Sequence, residues 1–447
     1  MTRGRWILAA GLGAALGPTA SSPPSRASTP ASPDAEAEAD AGLVAKAAVP
    51  GPPIDSSSPP DGSDAWPSAC SFRYPLCVRP APGTPGSVAA AALLAAERAW
   101  RVVTGALALP PPDGGLDGAW QVYLVDGAEA RVRAPSLLDA RDLRGHIDRA
   151  SSFAAVDRRT PPGCALDVAL ARAVARGSLW RAAPATDAGS ADAAVEAIAQ
   201  LATPCSTGQE RDDAIDFEAA PERTVVDARS PSFNRGAAMF FAWLDRRFGA
   251  RPGAVLLGLW AVAPTMTPPD ACRWAGTPTG FDVLRASLGS ALWQGSTLDD
   301  VFAAFAAARA SMDPAPSLTW NIAWPLQARR LASAEPVGPT GASYVLVDHA
   351  SAPRGAKLRV EAAWEDYARM RWIVLKLDAA GKVLEELPIA SADRATEAAK
   401  TIENLDDVSR VVVLGVNLGS TEMPFDPDDG VWEPHGWLLT LRSEDTR

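Results

Sequence analysis

Few residues in this 447-residue chain can do chemistry: it has three histidines and five cysteines. His146, His349 and His435 stand too far apart for any two to share one helix face, which argues against a zinc site built on paired histidines. A zinc hydrolase needs two histidines one helical turn apart with a glutamate between them as base, and no HExxH string occurs. The GxSxG elbow of a serine hydrolase, a phosphate-cradling loop and any CxxC pair are also absent. The remaining acid–base candidates are carboxylates, above all Asp167 and Glu196, each inside an Ala-rich helical pattern. The plain alternative for Glu196 is a solvated helix residue, and it is the one the sequence favours.

Three further groups have the right composition for binding. Asp426, Asp428 and Asp429 precede Gly430, an alternation of oxygen ligands before a turn that suits Ca²⁺. The distal acidic ligand of a twelve-residue loop would fall on Trp437, which cannot coordinate, so an exposed acidic turn is the simpler reading. Trp432, His435 and Trp437 form an aromatic cluster able to stack on a sugar; its alternative is core tryptophan with a hydrogen-bonded histidine at a strand start. Glu361, Glu365 and Asp366 resemble a glycosidase carboxylate pair in type only, and read as solvated charges at a strand end.

The elements that must position these residues begin with an export signal. Arg3 and Arg5 precede the apolar run Trp6–Gly17, which ends in small residues at Pro18-Thr19-Ala20. Its twelve residues fall short of the ~20 that span a bilayer, and no later segment is long and apolar enough to do so. Residues 21–65, rich in Pro, Ser and Ala, hold too little apolar surface to offset their ordering entropy and read as a disordered spacer. In an exported chain the cysteines can pair: Cys70 with Cys77 across a short Pro-containing segment, and Cys164 with Cys205 around two helices, leaving Cys272 free.

Residues 66–335 read as mostly helical. Strand patterns lie at Trp120–Val125 and Ser152–Val156, and helices at about 87–104, 165–181, 190–202, 232–248, 252–262, 281–293 and 298–311. The stripe Phe233, Ala237, Phe240, Phe241, Leu244 and Phe248 marks a core face. From residue 336 onward, Val/Leu/Trp-rich runs at 343–348, 357–364, 371–377, 383–389, 410–416 and 436–441 alternate with turns and predict an antiparallel β-sandwich. The fold class expected is therefore α+β.

The order strand, strand, helix, helix, with an acidic residue in the second helix, resembles the zincin peptidases, and in particular secreted metalloproteases of myxobacteria that join such a region to a C-terminal β-sandwich. In that pattern the first helix carries HExxH and the second supplies a third ligand from Glu-x-x-Ala. Here the first helix reads Asp167-Val168-Ala169-Leu170-Ala171, without the histidines, and the second retains Glu196-Ala197-Ile198-Ala199. The resemblance implies a peptidase fold that has lost its metal and its chemistry.

The leading expectation is an exported, secreted or periplasmic, non-catalytic protein that binds an envelope or extracellular protein or polysaccharide, with no cofactor. One alternative is an active secreted hydrolase using an acidic site at Asp167 and Glu196; another is carbohydrate or surface binding through the sandwich. The net charge of −11 argues against nucleic acid as partner, because affinity for the phosphate backbone comes from Lys and Arg.

Overall fold

The computed structural model describes residues 59–114, 118–127, 131–132, 151–183, 186–225, 230–266, 280–290, 293–325, 327–366, 368–389, 395–420 and 434–444, all within one compact unit, Val49–Arg447. The expected signal and most of the spacer, His146, Cys272, the acidic turn at Asp426, Asp428 and Asp429, and Trp432 lie outside the described residues.

The first part is built on a five-stranded sheet. Strands β2 (Leu76–Pro80), β3 (Trp120–Val125) and β5 (Phe153–Asp157) run parallel, and the short β1 (Ala69–Cys70) and β4 (Arg131–Val132) pair antiparallel at the two edges. β3 is buried along nearly its whole length, as its apolar composition requires when helices cover a parallel sheet. Helix α1 (Gly86–Trp100) precedes β3 and continues into one π-helical turn, Arg101–Ala106, two residues past the expected end at 104.

After β5 come α2 (Cys164–Ala182), α3 (Ala188–Ala202), α4 (Gln209–Ala219), α5 (Pro231–Gly236), α6 (Ala238–Phe248), α7 (Ala254–Val262), α8 (Gly280–Ser287) and α9 (Leu298–Arg309). The expected helix at 232–248 is two helices, broken at Ala237, while its stripe still enters the core: Phe233, Ala237, Phe240, Phe241 and Leu244 are buried. Two caps set the frame. The Asp187 carboxylate accepts from Ser190 N at 2.6 Å and starts α3; Thr297 and Asp300 form a reciprocal capping box at α9. The disulfide Cys164–Cys205 ties the start of α2 to the chain beyond α3, and Cys70–Cys77 joins β1 to β2.

The second part is the sandwich. One sheet has the order β11 (Val383–Ile389), β10 (Ala368–Leu377), β13 (Arg410–Ser420), β8 (Ala342–Asp348), β6 (Trp320–Ala323). The other has β12 (Glu397–Ile402), β9 (Lys357–Trp364), β14 (Trp437–Glu444), β7 (Arg329–Ala332). Pairing is antiparallel except between β6 and β8, and both sheets draw strands from ahead of residue 336. β9 alternates as a half-buried strand must, turning Leu358, Val360, Ala362 and Trp364 inward. β10 does not alternate, because both its faces are covered. Met370, Trp372 and Val374 fill the space between the sheets, while Ile373, Leu375 and Leu377 meet Ala303, Ala306 and Ala307 of α9. α9 thus serves the cores of both parts: its Val301, Phe302 and Phe305 belong to the helical one.

Candidate functional site

A cleft of about 540 Å³ opens where the end of β5, α2, α3 and α5 come together. α2 and α3 lie side by side, and each offers two residues spaced one helical turn apart. Arg172 and Arg176 of α2 face Glu196 and Asp192 of α3: Arg172 Nε donates to Glu196 Oε2 at 2.5 Å, and Arg176 Nη2 donates to Asp192 Oδ1. Residues i and i+4 share a helix face, so two arginines on one helix match two carboxylates on the next.

A third guanidinium enters from α5. Arg235 grips Asp213 of α4 in a fork, Nε to Oδ2 at 2.8 Å and Nη2 to Oδ1 at 2.9 Å. That hydrogen bonding, with the nearby carboxylates of Glu196 and Asp192, holds the Arg235 guanidinium still further above its usual range. The fork is possible because α4 and α5 touch backbone to backbone at Gly236. A Cβ there would stand 2.1 Å from the carbonyl oxygen of Asp213 and 2.6 Å from Phe217 Cβ.

Glu196 is at the centre of this lattice and is 1% exposed. The solvated-helix reading of Glu196 is therefore overturned: a short helix packed on α2, α5 and α6 leaves that face no water. Gln200 Nε2 completes its surroundings at 3.4 Å. Arg172 keeps one donor in reserve, since its Nη2 is buried and has no hydrogen-bond partner among the described residues.

Asp167 does not share the cleft. It lies in the first turn of α2 and pairs with Arg98 of α1, at the exposed side of that helix. At ~100° per residue it stands about 140° around the axis from Arg172. The register that points at α3 is thus 172/176, five residues beyond the start of the string Asp167–Ala171. The sequence signal for it was present in the matched i, i+4 spacing of Arg172/Arg176 and Asp192/Glu196.

A zinc of the kind held by the peptidases that the chain resembles does not fit these residues. Guanidinium groups stay protonated and have no lone pair to offer, and Arg172 and Arg176 hold the face of α2 opposite Glu196 and Asp192. Both carboxylates opposite are already engaged by them. Among the described residues no group of three or more His, Cys, Asp or Glu stands close enough to hold a metal ion.

On the sandwich, Trp437 and Trp372 are buried between the sheets, edge to face with centroids 5.6 Å apart, and Trp364 is buried beside them. His435 is buried too: its backbone bridges Val337 in both directions at 2.9 Å, and its Nδ1 lies 3.1 Å from Glu365 Oε2. These side chains fill the sandwich and close its edge.

No protein-family model and no curated protein matches the chain. Among solved structures it is similar to the pre-peptidase C-terminal domain of a collagenase from Bacillus anthracis, at 5% identity over 28% of this chain and 97% of that one, with a TM-score of 0.19. It is also similar to chitosan-binding module 1 of a chitosanase/glucanase from Paenibacillus sp. IK-5, at 18% identity over 25% of this chain and 74% of that one, with a TM-score of 0.16. Neither likeness carries an argument about what this chain does.

Proposed function

We propose that the chain is an exported, non-catalytic binding protein, whose helical part has the layout of a zinc peptidase and whose cleft recognises a polar ligand through guanidinium and carboxylate groups. The observation that carries this reading is the pairing of Arg172 and Arg176 with Glu196 and Asp192, which lines the cleft with cations and carboxylates and leaves neither carboxylate without a partner. The two disulfides suit an oxidising compartment, and among the described residues no helix is long and apolar enough to cross a membrane. Separation of Asp167 from Glu196 weighs against a hydrolase working through that pair.

Metal analysis of the purified chain after dialysis against zinc, together with a peptide-hydrolysis assay, tests the reading. The expected result is no stoichiometric zinc and no cleavage. One zinc per chain that disappears in Glu196→Gln, or hydrolysis abolished by a chelator, would overturn it.

A further inference from the structure

The cleft between α2, α3 and α5 does not balance its charge. Each of its three guanidinium groups is met by one carboxylate: Arg172 by Glu196, Arg176 by Asp192 and Arg235 by Asp213. One further carboxylate residue lines the same cleft, Asp157 at the end of β5. Its Oδ1 accepts from Arg159 N at 2.9 Å, and among the described residues it makes no ion pair. The two cations that follow it in sequence do not serve it. Arg158 and Arg159 both turn to Asp126, at 2.6 and 3.0 Å, and none of these three lines the cleft. With every charged lining residue counted, one negative charge is left uncompensated, and it belongs to Asp157. Walls of lower dielectric than water strengthen its attraction for a cation.

The rest of the lining defines what that cation must carry. A guanidinium presents five N–H donors. Among the described residues, bonds to carboxylates use one on Arg172, one on Arg176 and two on Arg235. Thr160 and Gln209 add a hydroxyl and a carboxamide, which both give and accept. The apolar part of the lining is small side chains such as Ala173, with no aromatic ring among them. Donors and acceptors interleaved in this way suit hydroxyl groups, each of which donates one hydrogen bond and accepts two. The volume of about 540 Å³ is that of a small-molecule site.

We propose that the cleft takes a hydroxylated primary amine of the amino-sugar class. Its ammonium sits against Asp157, and its hydroxyls take the unused donors of Arg172 and Arg176. This rests on the reading of the cleft as a binding site without catalysis and names what that site holds.

Calorimetric titration of the full chain with glucosamine, at a pH where the amine is protonated, tests it. Glucose and N-acetylglucosamine keep the ring and lose the charge; putrescine keeps the ammonium and lacks the hydroxyls. Each should bind about tenfold more weakly than glucosamine or worse. Glucuronate, with the charge reversed, should not bind. Asp157→Asn keeps an acceptor for Arg159 N and removes only the charge. It should lower glucosamine affinity about tenfold with thermal unfolding unchanged, and Asp157→Glu should keep most of the affinity. Wild-type affinity should also fall as salt rises. Absence of glucosamine binding, glucose or putrescine bound as tightly, or glucuronate bound more tightly would each overturn the proposal. So would a folded Asp157→Asn chain that binds like the wild type, or an affinity indifferent to salt. None of these outcomes touches the non-catalytic reading, which falls instead to zinc uptake or peptide cleavage.

Discussion

Arg309 and Glu218 form an almost fully buried ion pair, with Arg309 Nε 3.0 and 3.1 Å from the two carboxylate oxygens and side chains only 2% and 1% exposed. The guanidinium also lies 4.4 Å over the Phe217 ring. The pair ties α4 to α9, and α9 in turn carries the outer face of the sandwich, so the joint between the two parts rests on it. Removing one partner leaves the other charge buried without compensation. Glu218→Gln should cost about 3–5 kcal/mol of unfolding free energy. The double variant Glu218→Leu with Arg309→Met should recover most of that loss, because it removes the desolvation cost along with the attraction. Guanidinium unfolding of Glu218→Leu, Arg309→Met and the double, read as a cycle beside Glu218→Gln, checks this.

The two disulfides should differ in weight. Cys164–Cys205 spans 41 positions and Cys70–Cys77 only 7. On the chain-entropy relation, removing the first by paired serine substitutions costs about 4 kcal/mol and removing the second about 2.5 kcal/mol. Denaturant midpoints of the two double-serine variants give the comparison directly.

Asp187 gives stability a pH dependence of defined sign. Burial raises its carboxyl above the ordinary 3.8, although Ser190 N and Gly280 N, at 2.6 and 2.9 Å, both donate to it. A carboxyl raised by folding binds its proton more tightly in the folded state. Its contribution is then complete below the unfolded value and lost as pH rises through the folded one. Asp187→Asn, which keeps an acceptor without the charge, should gain on the wild type between pH 4 and pH 7. Asp187→Ala should instead lose about 1 kcal/mol at low pH, since the cap itself is gone, and that deficit should shrink as pH rises. Thermal unfolding at a series of pH values separates the two.

The cleft should accept a metal once its cations are replaced. Arg172→His, Ala173→Glu and Arg176→His together turn residues 172–176 into an HExxH string on the face that already looks at Glu196. The triple variant should bind about one zinc per chain, and the further change Glu196→Gln should abolish it. Elemental analysis after gel filtration is the readout; a triple variant without zinc would show that the spacing of α2 and α3 suits only the longer arginine side chains.

Much of the fold was legible because local signals and burial agreed. The runs at Lys357–Trp364 and Val383–Ile389 match their strands to the residue, and the Phe240/Phe241/Leu244 stripe entered the core as its spacing required. α4 was missed: Gln209–Ala219 is acidic, and its partners, Arg235 and Arg309, come from distant parts of the chain. β6, β7 and β12 were missed for a related reason, being short or largely exposed strands whose pairing is decided by the sheet they join. At the site, Glu196 was visible from its place in the second helix, but its burial was not. That depends on the contact of α3 with α2, α5 and α6, which no window of sequence contains. Asp167 is the first acidic residue of α2 but lies on another face, and the pair that meets α3 shows only when the two helices are laid side by side.

Gly236 shapes the wall of the cleft without lining it. Because α4 and α5 meet there with no side chain between them, the aim of Arg235 is fixed by a position that offers a ligand no atom. Residues 172, 176 and 192 are open to exchange if the chain is to be retuned for a different ligand. Residue 236 is not, since a Cβ there would push α5 off α4 and carry the Arg235–Asp213 fork with it, although a map of the cleft drawn from its lining alone would omit that residue.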